Sequence, residues 1–155
     1  MKAPSQRLAW ATVVREEIDD LHRFFQEWFL GERPGTDAEF ARVEQALEDS
    51  FALVSPNGTL LEREALLDRL KSSHGKRAGE SFRIWVRAVR LRDEIGPRLL
   101  VSYEEWQETD DGVTARQSTA WFAVTPGETV ERERLRWVHV HETWLPGRSP
   151  EDAGE

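Results

Sequence analysis

His139 and His141 stand two apart in Trp137-Val-His-Val-His-Glu-Thr143. On a strand that spacing turns both imidazoles to one face, roughly 7 Å apart at Cα. Two histidines with a carboxylate could hold a metal ion, although His-x-His on a strand is a weak signal. By alternation Trp137 and Thr143 share the histidine face, while Val138, Val140, Glu142 and Trp144 form the other. The valine face is the better core side, which puts the histidines on an outer sheet face at a subunit contact, with a pocket role as the alternative. Glu142 then lies near the rim of whatever cavity the valines line, where burial would raise its pKa and fit it for general acid or base work. Glu105 is a second such carboxylate. It shares a face with Val101 and Tyr103, so a phenol could polarise a carbonyl while the acid moves a proton; structural roles for both compete with that reading.

Other polar patterns are less specific. Arg83, Trp85 and Arg87 alternate on one strand face and could cradle an anionic aromatic ligand, or form a solvated outer face. Arg116, Gln117 and Thr119 are polar where a central strand should be apolar, as a wetted pocket wall or a polar interface would be. His22 lies at the edge of an apolar helix stripe, as a boundary histidine or one that reaches a cavity. His74 reads as a helix-end residue favourable to the dipole. No phosphate loop, G-x-S-x-G elbow, H-E-x-x-H or dinucleotide fingerprint is present. No cofactor is expected.

These groups must be positioned by a modest number of elements. Apolar residues at spacings of three and four over Thr12–Leu30 (Ile18, Leu21, Phe24, Phe25, Trp28, Phe29) predict an amphipathic helix that Gly31 and Pro34-Gly35 stop. Thr36 or Asp37 caps a second helix over Ala38–Asp49. A short hairpin follows, Phe51–Ser55 and Thr59–Leu61 around Asn57-Gly58, and then a third helix over Glu62–Ser73. Beyond Gly75 the period changes to two. Four strands, roughly Ser81–Asp93, Arg98–Glu108, Val113–Thr125 and Arg134–Trp144, are joined by turns and read as an antiparallel meander. In the first of them the apolar series switches faces, which predicts a bulge near Arg87–Val89.

The 155 residues amount to about one domain. Residues 1–11 read as a flexible N-terminus, 12–145 as the folded domain and 146–155 as a loose polar tail. With no cysteine there is no disulfide framework, thiolate metal site or cysteine nucleophile. No apolar stretch approaches the ~20 residues of a membrane span and no leader pattern opens the chain, so a cytoplasmic protein with no membrane partner is expected. Basic and acidic side chains number six and eleven in residues 1–50, ten and six in 51–100, and five and twelve in 101–155, for a net charge of −8. That distribution argues against a nucleic-acid partner. Seven Trp and seven Phe beside a single Tyr require large apolar surfaces, as core, pocket wall or interface.

The order α-α-β-β-α-β-β-β-β, the string Phe51-Ala-Leu-Val-Ser-Pro-Asn-Gly58 leading into Arg63-Glu-Ala-Leu-Leu67, and the ending Trp137–Thr143 together resemble the nuclear-transport-factor-two-like superfamily over about residues 12 to 145. Within it the chain is most similar to the SnoaL-like and ketosteroid-isomerase-like small proteins, which are related to the calmodulin-dependent kinase association domain. The resemblance implies an α+β cone of the cystatin-like kind, a strongly curved mixed sheet wrapped around three helices, with a pocket at the open end and a homodimer made through the outer sheet face. It implies a small, largely apolar or aromatic ligand in that pocket. Candidate contacts are Phe25 and Trp28 from the first helix, Trp85, Tyr103 and Trp121 from the strands, and His139 and Glu142 from the last strand. Two alternatives stand beside it: a proton-shuttling isomerase, cyclase or dehydratase using Glu105 or Glu142 with Tyr103, and a non-catalytic assembly module. The catalytic sets of ketosteroid isomerases, scytalone-type dehydratases and limonene-epoxide hydrolases have no matching positions here.

Overall fold

Helix α1 runs from Pro4 to Phe29 and buries Trp10, Val14, Ile18, Leu21, Phe24 and Trp28, one stripe at steps of three and four. The structure is a computed structural model; it describes the backbone of residues 4–153 and the side chains of 6–152. Helix α2 (Asp37–Ala46) opens on Thr36, whose hydroxyl accepts from the Glu39 backbone N–H at 3.2 Å. It passes directly into β1 (Leu47–Val54), which pairs with β2 (Leu60–Glu62) as the hairpin predicted around Asn57-Gly58. Then come α3 (Arg63–Lys71), β3 (Arg83–Ile95), β4 (Arg98–Thr109), β5 (Gly112–Val124), a 3₁₀ turn over Arg132–Arg134, β6 (Leu135–Trp144) and the short α4 (Pro150–Ala153).

The six strands form one mixed sheet in the order β2-β1-β6-β5-β4-β3. Among the described residues only β1 and β6 pair parallel; the long strands make the expected antiparallel meander. Leu99, Val101, Ala120, Phe122, Leu135, Trp137 and Val140 project from its concave face onto α1 and α2. This is the α+β cone implied by the order of elements.

Register shifts interrupt the sheet in β1, β3 and β6, and two of them bear on the faces read from the sequence. In β3 the pairing slips between Arg87 and Arg90, where Ala88 takes φ +55°, at the position where the sequence changes face. In β6 a second slip falls across Val138: Trp121 pairs with His139 but Phe122 with Trp137. This corrects the alternation read from the sequence. The extra residue returns Trp137 to the concave face with Val140 and Glu142, and leaves His139 and His141 outside.

The chain ends also differ from expectation. Residues 4–11, read as a flexible lead-in, are the first turns of α1, and Trp10 is 2% exposed. The tail contains α4, whose preceding Arg148 carbonyl accepts from the Ala115 backbone N–H at 3.0 Å. Residues 1–3 and 154–155 of those segments lie outside the described residues. Among the described residues no helix is long and apolar enough to cross a membrane.

Candidate functional site

Strands β4, β5 and β6 lie side by side, and their register decides which polar side chains meet. Glu105 pairs opposite Arg116, and Ser118 opposite both Tyr103 and Glu142. Because residues two apart share a face, Arg116 becomes a diagonal neighbour of Glu142, within reach of a long side chain. Its Nη1 lies 3.6 Å from Glu142 Oε1 and its Nε 3.9 Å from Glu105 Oε2. Gln107, two residues along β4, donates to Glu105 Oε2 at 2.5 Å. The Arg116 guanidinium also sits 4.9 Å from the centre of the Trp144 ring, which fixes it from the rim side.

Helix α1 adds the fourth ionisable group. His22 is 5% exposed; its Nε2 is 2.9 Å from Glu105 Oε1 and its Nδ1 2.7 Å from the Ile18 carbonyl. Both ring nitrogens therefore face acceptors, which only an imidazolium can satisfy from both sides. Burial works to lower the His22 pKa, but the Glu105 charge and hydrogen bond and the Ile18 carbonyl outweigh it and raise the value. Burial likewise works to raise Glu105, yet Arg116 first, then His22 and Gln107, hold its carboxyl at about 2. Glu142 goes the other way: burial and the Glu105 charge push it up to about 7 against Arg116 and His22. The two carboxylates thus divide the available cations unequally. Burial, with the charges of Glu105 and Glu142, drives the Tyr103 phenol well above its ordinary value, so it stays protonated.

This network forms the polar floor of a cavity of about 270 Å³, near the ~300 Å³ lower bound for small-ligand sites. Its walls are apolar. Phe25 and Phe29 stack on one side with ring centres 6.0 Å apart; Leu53, Leu61, Leu66 and Leu70 stand around the rest. Trp137 closes one end, its indole N–H donating to Glu17 at 2.9 Å, and Arg42 in turn holds Glu17 through two hydrogen bonds of 2.8 and 3.1 Å.

Of the residues singled out in the sequence, Tyr103, Glu105, Glu142 and Phe25 come together in this cavity. The others do not. Trp28 is 1% exposed in the core, its indole N–H donating to the Leu70 carbonyl at 2.9 Å, because it continues the buried stripe of α1 rather than its cavity edge. Trp85 pairs with Trp106 across β3 and β4 on the convex face, rings stacked at 6.1 Å with Arg83 and Arg87 beside them. Trp121 and His139 are cross-strand partners on that same face. The His139 and His141 rings are 6.4 Å apart there, and no group of three or more His, Asp or Glu among the described residues is placed to hold a metal ion. The sequence reading weighed a cavity role for His22 and a pocket-wall role for Arg116 as alternatives, and passed over Gln107. The signals for the first two were a histidine at the edge of an apolar stripe and an arginine inside a central strand.

Comparison with known proteins bears on what this cavity serves. Residues 14–146 match the model of the family described as sucrose-6-phosphate phosphohydrolase C-terminal. The chain is 30% identical over 139 residues to sucrose-phosphatase 1 of Nicotiana tabacum, covering 88% of this chain and 32% of that protein. It is 27% identical over 128 residues to probable sucrose-phosphatase 2 of Arabidopsis thaliana, covering 83% and 29%. The chain thus spans about a third of the length of the curated relatives it matches. Among solved structures, an NTF-2-like protein of unknown function from Pseudomonas aeruginosa superposes with a TM-score of 0.74 at 25% identity, over 86% of this chain and 98% of that one. In fold the chain is an NTF-2-like protein, as its order of elements implies.

The functional expectation is corrected. A SnoaL-like domain binding a small, largely apolar or aromatic molecule, and its alternatives of a proton-shuttling enzyme or a pure assembly module, give way to the sucrose-phosphatase match. The physical reason is general: this fold carries many unrelated sites, so element order determines the scaffold and leaves its use open.

Proposed function

The chain belongs to the sucrose-6-phosphate phosphohydrolase C-terminal family, and from that premise we propose that it is an accessory domain of sugar-phosphate hydrolysis that recognises the sugar rather than cleaving the ester. The observation that carries this reading is the His22–Glu105–Arg116–Glu142 network on the floor of an aromatic-walled cavity. A sugar ring is an uncharged polyol with apolar C–H faces. Carboxylate oxygens accept from its hydroxyls, guanidinium and amide N–H groups donate to them, and the Phe25/Phe29 wall receives a ring face. With two cations facing two carboxylates the floor stays near neutrality, so a phosphate dianion placed there would meet Glu105 and Glu142 at close range. The cavity supports a single ring inside, with the rest of a disaccharide at the mouth.

Calorimetric titration of sucrose into the chain tests this. Binding with a Kd of about 1 mM or tighter is expected, equivalent to about −4 kcal/mol or better. The Leu66→Trp variant, which fills the mouth from a half-buried position on α3, should abolish it while leaving the melting temperature nearly unchanged. No heat from sucrose at concentrations well above 10 mM, roughly tenfold over that Kd, would overturn the reading.

A further inference from the structure

Phe29 and Gln107 line a second depression as well as the cavity and so form the wall between the two. This groove, of about 450 Å³, is bounded by Ser73, Lys76, Arg77, Glu80 and Phe82. Its character is opposite to that of the cavity floor. Lys76 is exposed and, among the described residues, makes no ion pair; the same holds for Arg69 at the cavity rim. Arg77 lies 5.1 Å over the Phe82 ring and meets Glu80 only at 3.5 Å, a long contact between partly exposed groups. The stretch of chain with an excess of basic residues, 51–100, thus delivers cations to one side of the cavity mouth.

The turn bearing these cations is held rigidly. Gly75 N–H donates to the Trp28 carbonyl at 3.0 Å and Arg77 N–H to the Phe29 carbonyl at 2.8 Å, while His74 Nε2 sits 2.6 Å from the Arg33 carbonyl with its ring edge-on to Trp28. Gly31 and Gly75 both adopt positive φ, and a Cβ on Gly31 would lie 3.3 Å from the Gly75 Cα, so the two turns meet as bare backbone. With the backbone of this turn fixed before a ligand arrives, only the cationic side chains lose freedom on binding it.

We infer that the Ser73–Phe82 groove is an anion subsite that takes the phosphate of a sugar phosphate whose sugar ring occupies the neighbouring cavity. This rests on the sugar reading of the cavity for its ligand, although the groove's affinity for phosphate stands on its own residues. Lys76 supplies a mobile point charge, Arg77 a guanidinium stacked on Phe82, and Ser73 a hydroxyl. Glu80 opposes the anion and limits its affinity.

The test titrates inorganic phosphate, sucrose and sucrose 6-phosphate into the full chain and into the Lys76→Gln/Arg77→Gln double variant. Wild type should bind sucrose 6-phosphate about tenfold more tightly than sucrose. In the double variant that preference should shrink to within about twofold, with sucrose affinity unchanged and phosphate binding lost. Glu80→Gln should move phosphate affinity the other way, upward by about twofold. A preference that survives the double variant, or a wild-type chain that binds neither phosphate compound, overturns the groove. Phosphate binding that depends on Lys76 and Arg77 without any sucrose binding keeps the groove and removes the sugar cavity, so the two readings fail separately.

Discussion

Glu105→Gln should cost about 3 kcal/mol of stability at pH 7, lowering the melting temperature by roughly 10 °C in a domain of this size. The figure follows from the carboxyl's displacement from 4.5 to about 2, with each pKa unit worth about 1.4 kcal/mol. Glu105 is 8% exposed, so solvent does little to soften the loss. An amide still accepts one hydrogen bond, but it leaves the buried His22 and the half-buried Arg116 as cations with no full counter-charge. The pH dependence identifies the cause. A depressed carboxylate stabilises the fold above its unfolded pKa and loses that contribution as pH falls through its folded value. The gap between wild type and variant should therefore be full above pH 5 and close as pH falls from 4.5 towards 2. Melting curves between pH 3 and pH 7 measure this. A variant within 2 °C of wild type at pH 7, less than ~1 kcal/mol by the same conversion, would show that Glu105 does not anchor the network.

Glu142→Gln should have the opposite effect. Its carboxyl is raised from 4.5 to about 7, so the folded protein holds a proton that the unfolded chain has released. The stability linked to that proton is fully present below pH 4.5 and is lost as pH rises through 7. Wild type should lose about 3 kcal/mol from this group between pH 4.5 and pH 8, while the amide, which cannot ionise, loses none. The variant should thus be the more stable protein at pH 8 by up to about 3 kcal/mol and close to wild type at pH 5. His22, whose pKa is also raised, adds a decline in the same direction that the variant keeps. Denaturant unfolding at half-unit steps from pH 5 to pH 8 separates the two slopes. Parallel profiles for the two proteins would contradict the raised pKa of Glu142.

The elements were legible in the sequence wherever their signal was local. The switch of apolar residues in β3 announces its bulge because Val86, Ala88, Val89 and Leu91 cannot all lie on one face of an unbroken strand. The bulge at Val138 gives no such sign, since Trp-Val-His-Val-His-Glu alternates acceptably in either register. One silent residue therefore placed Trp137 on the wrong side of the sheet. The face shared by Tyr103 and Glu105 followed from alternation, and so did the position of Glu142 beside the inward valine Val140. What alternation could not supply was their partners. His22 is 83 residues from Glu105 along the chain, and Arg116 reaches Glu142 only through the β5–β6 register. Trp85 and Trp121 looked like pocket walls because tryptophan marks large apolar contacts without marking which face bears them. Function was least legible of all, because the groups that define the cavity are common residue types at ordinary spacings.

Sugar recognition by this cavity is tested by the structure of the chain crystallised with saturating sucrose. One sugar ring is expected in the cavity, its hydroxyls within hydrogen-bond distance of Glu105, Arg116 and Gln107 and one face against Phe25 or Phe29. Sucrose found instead on the convex face over Trp85 and Trp106, or a cavity that stays free of sugar with its mouth open to solvent, would contradict it.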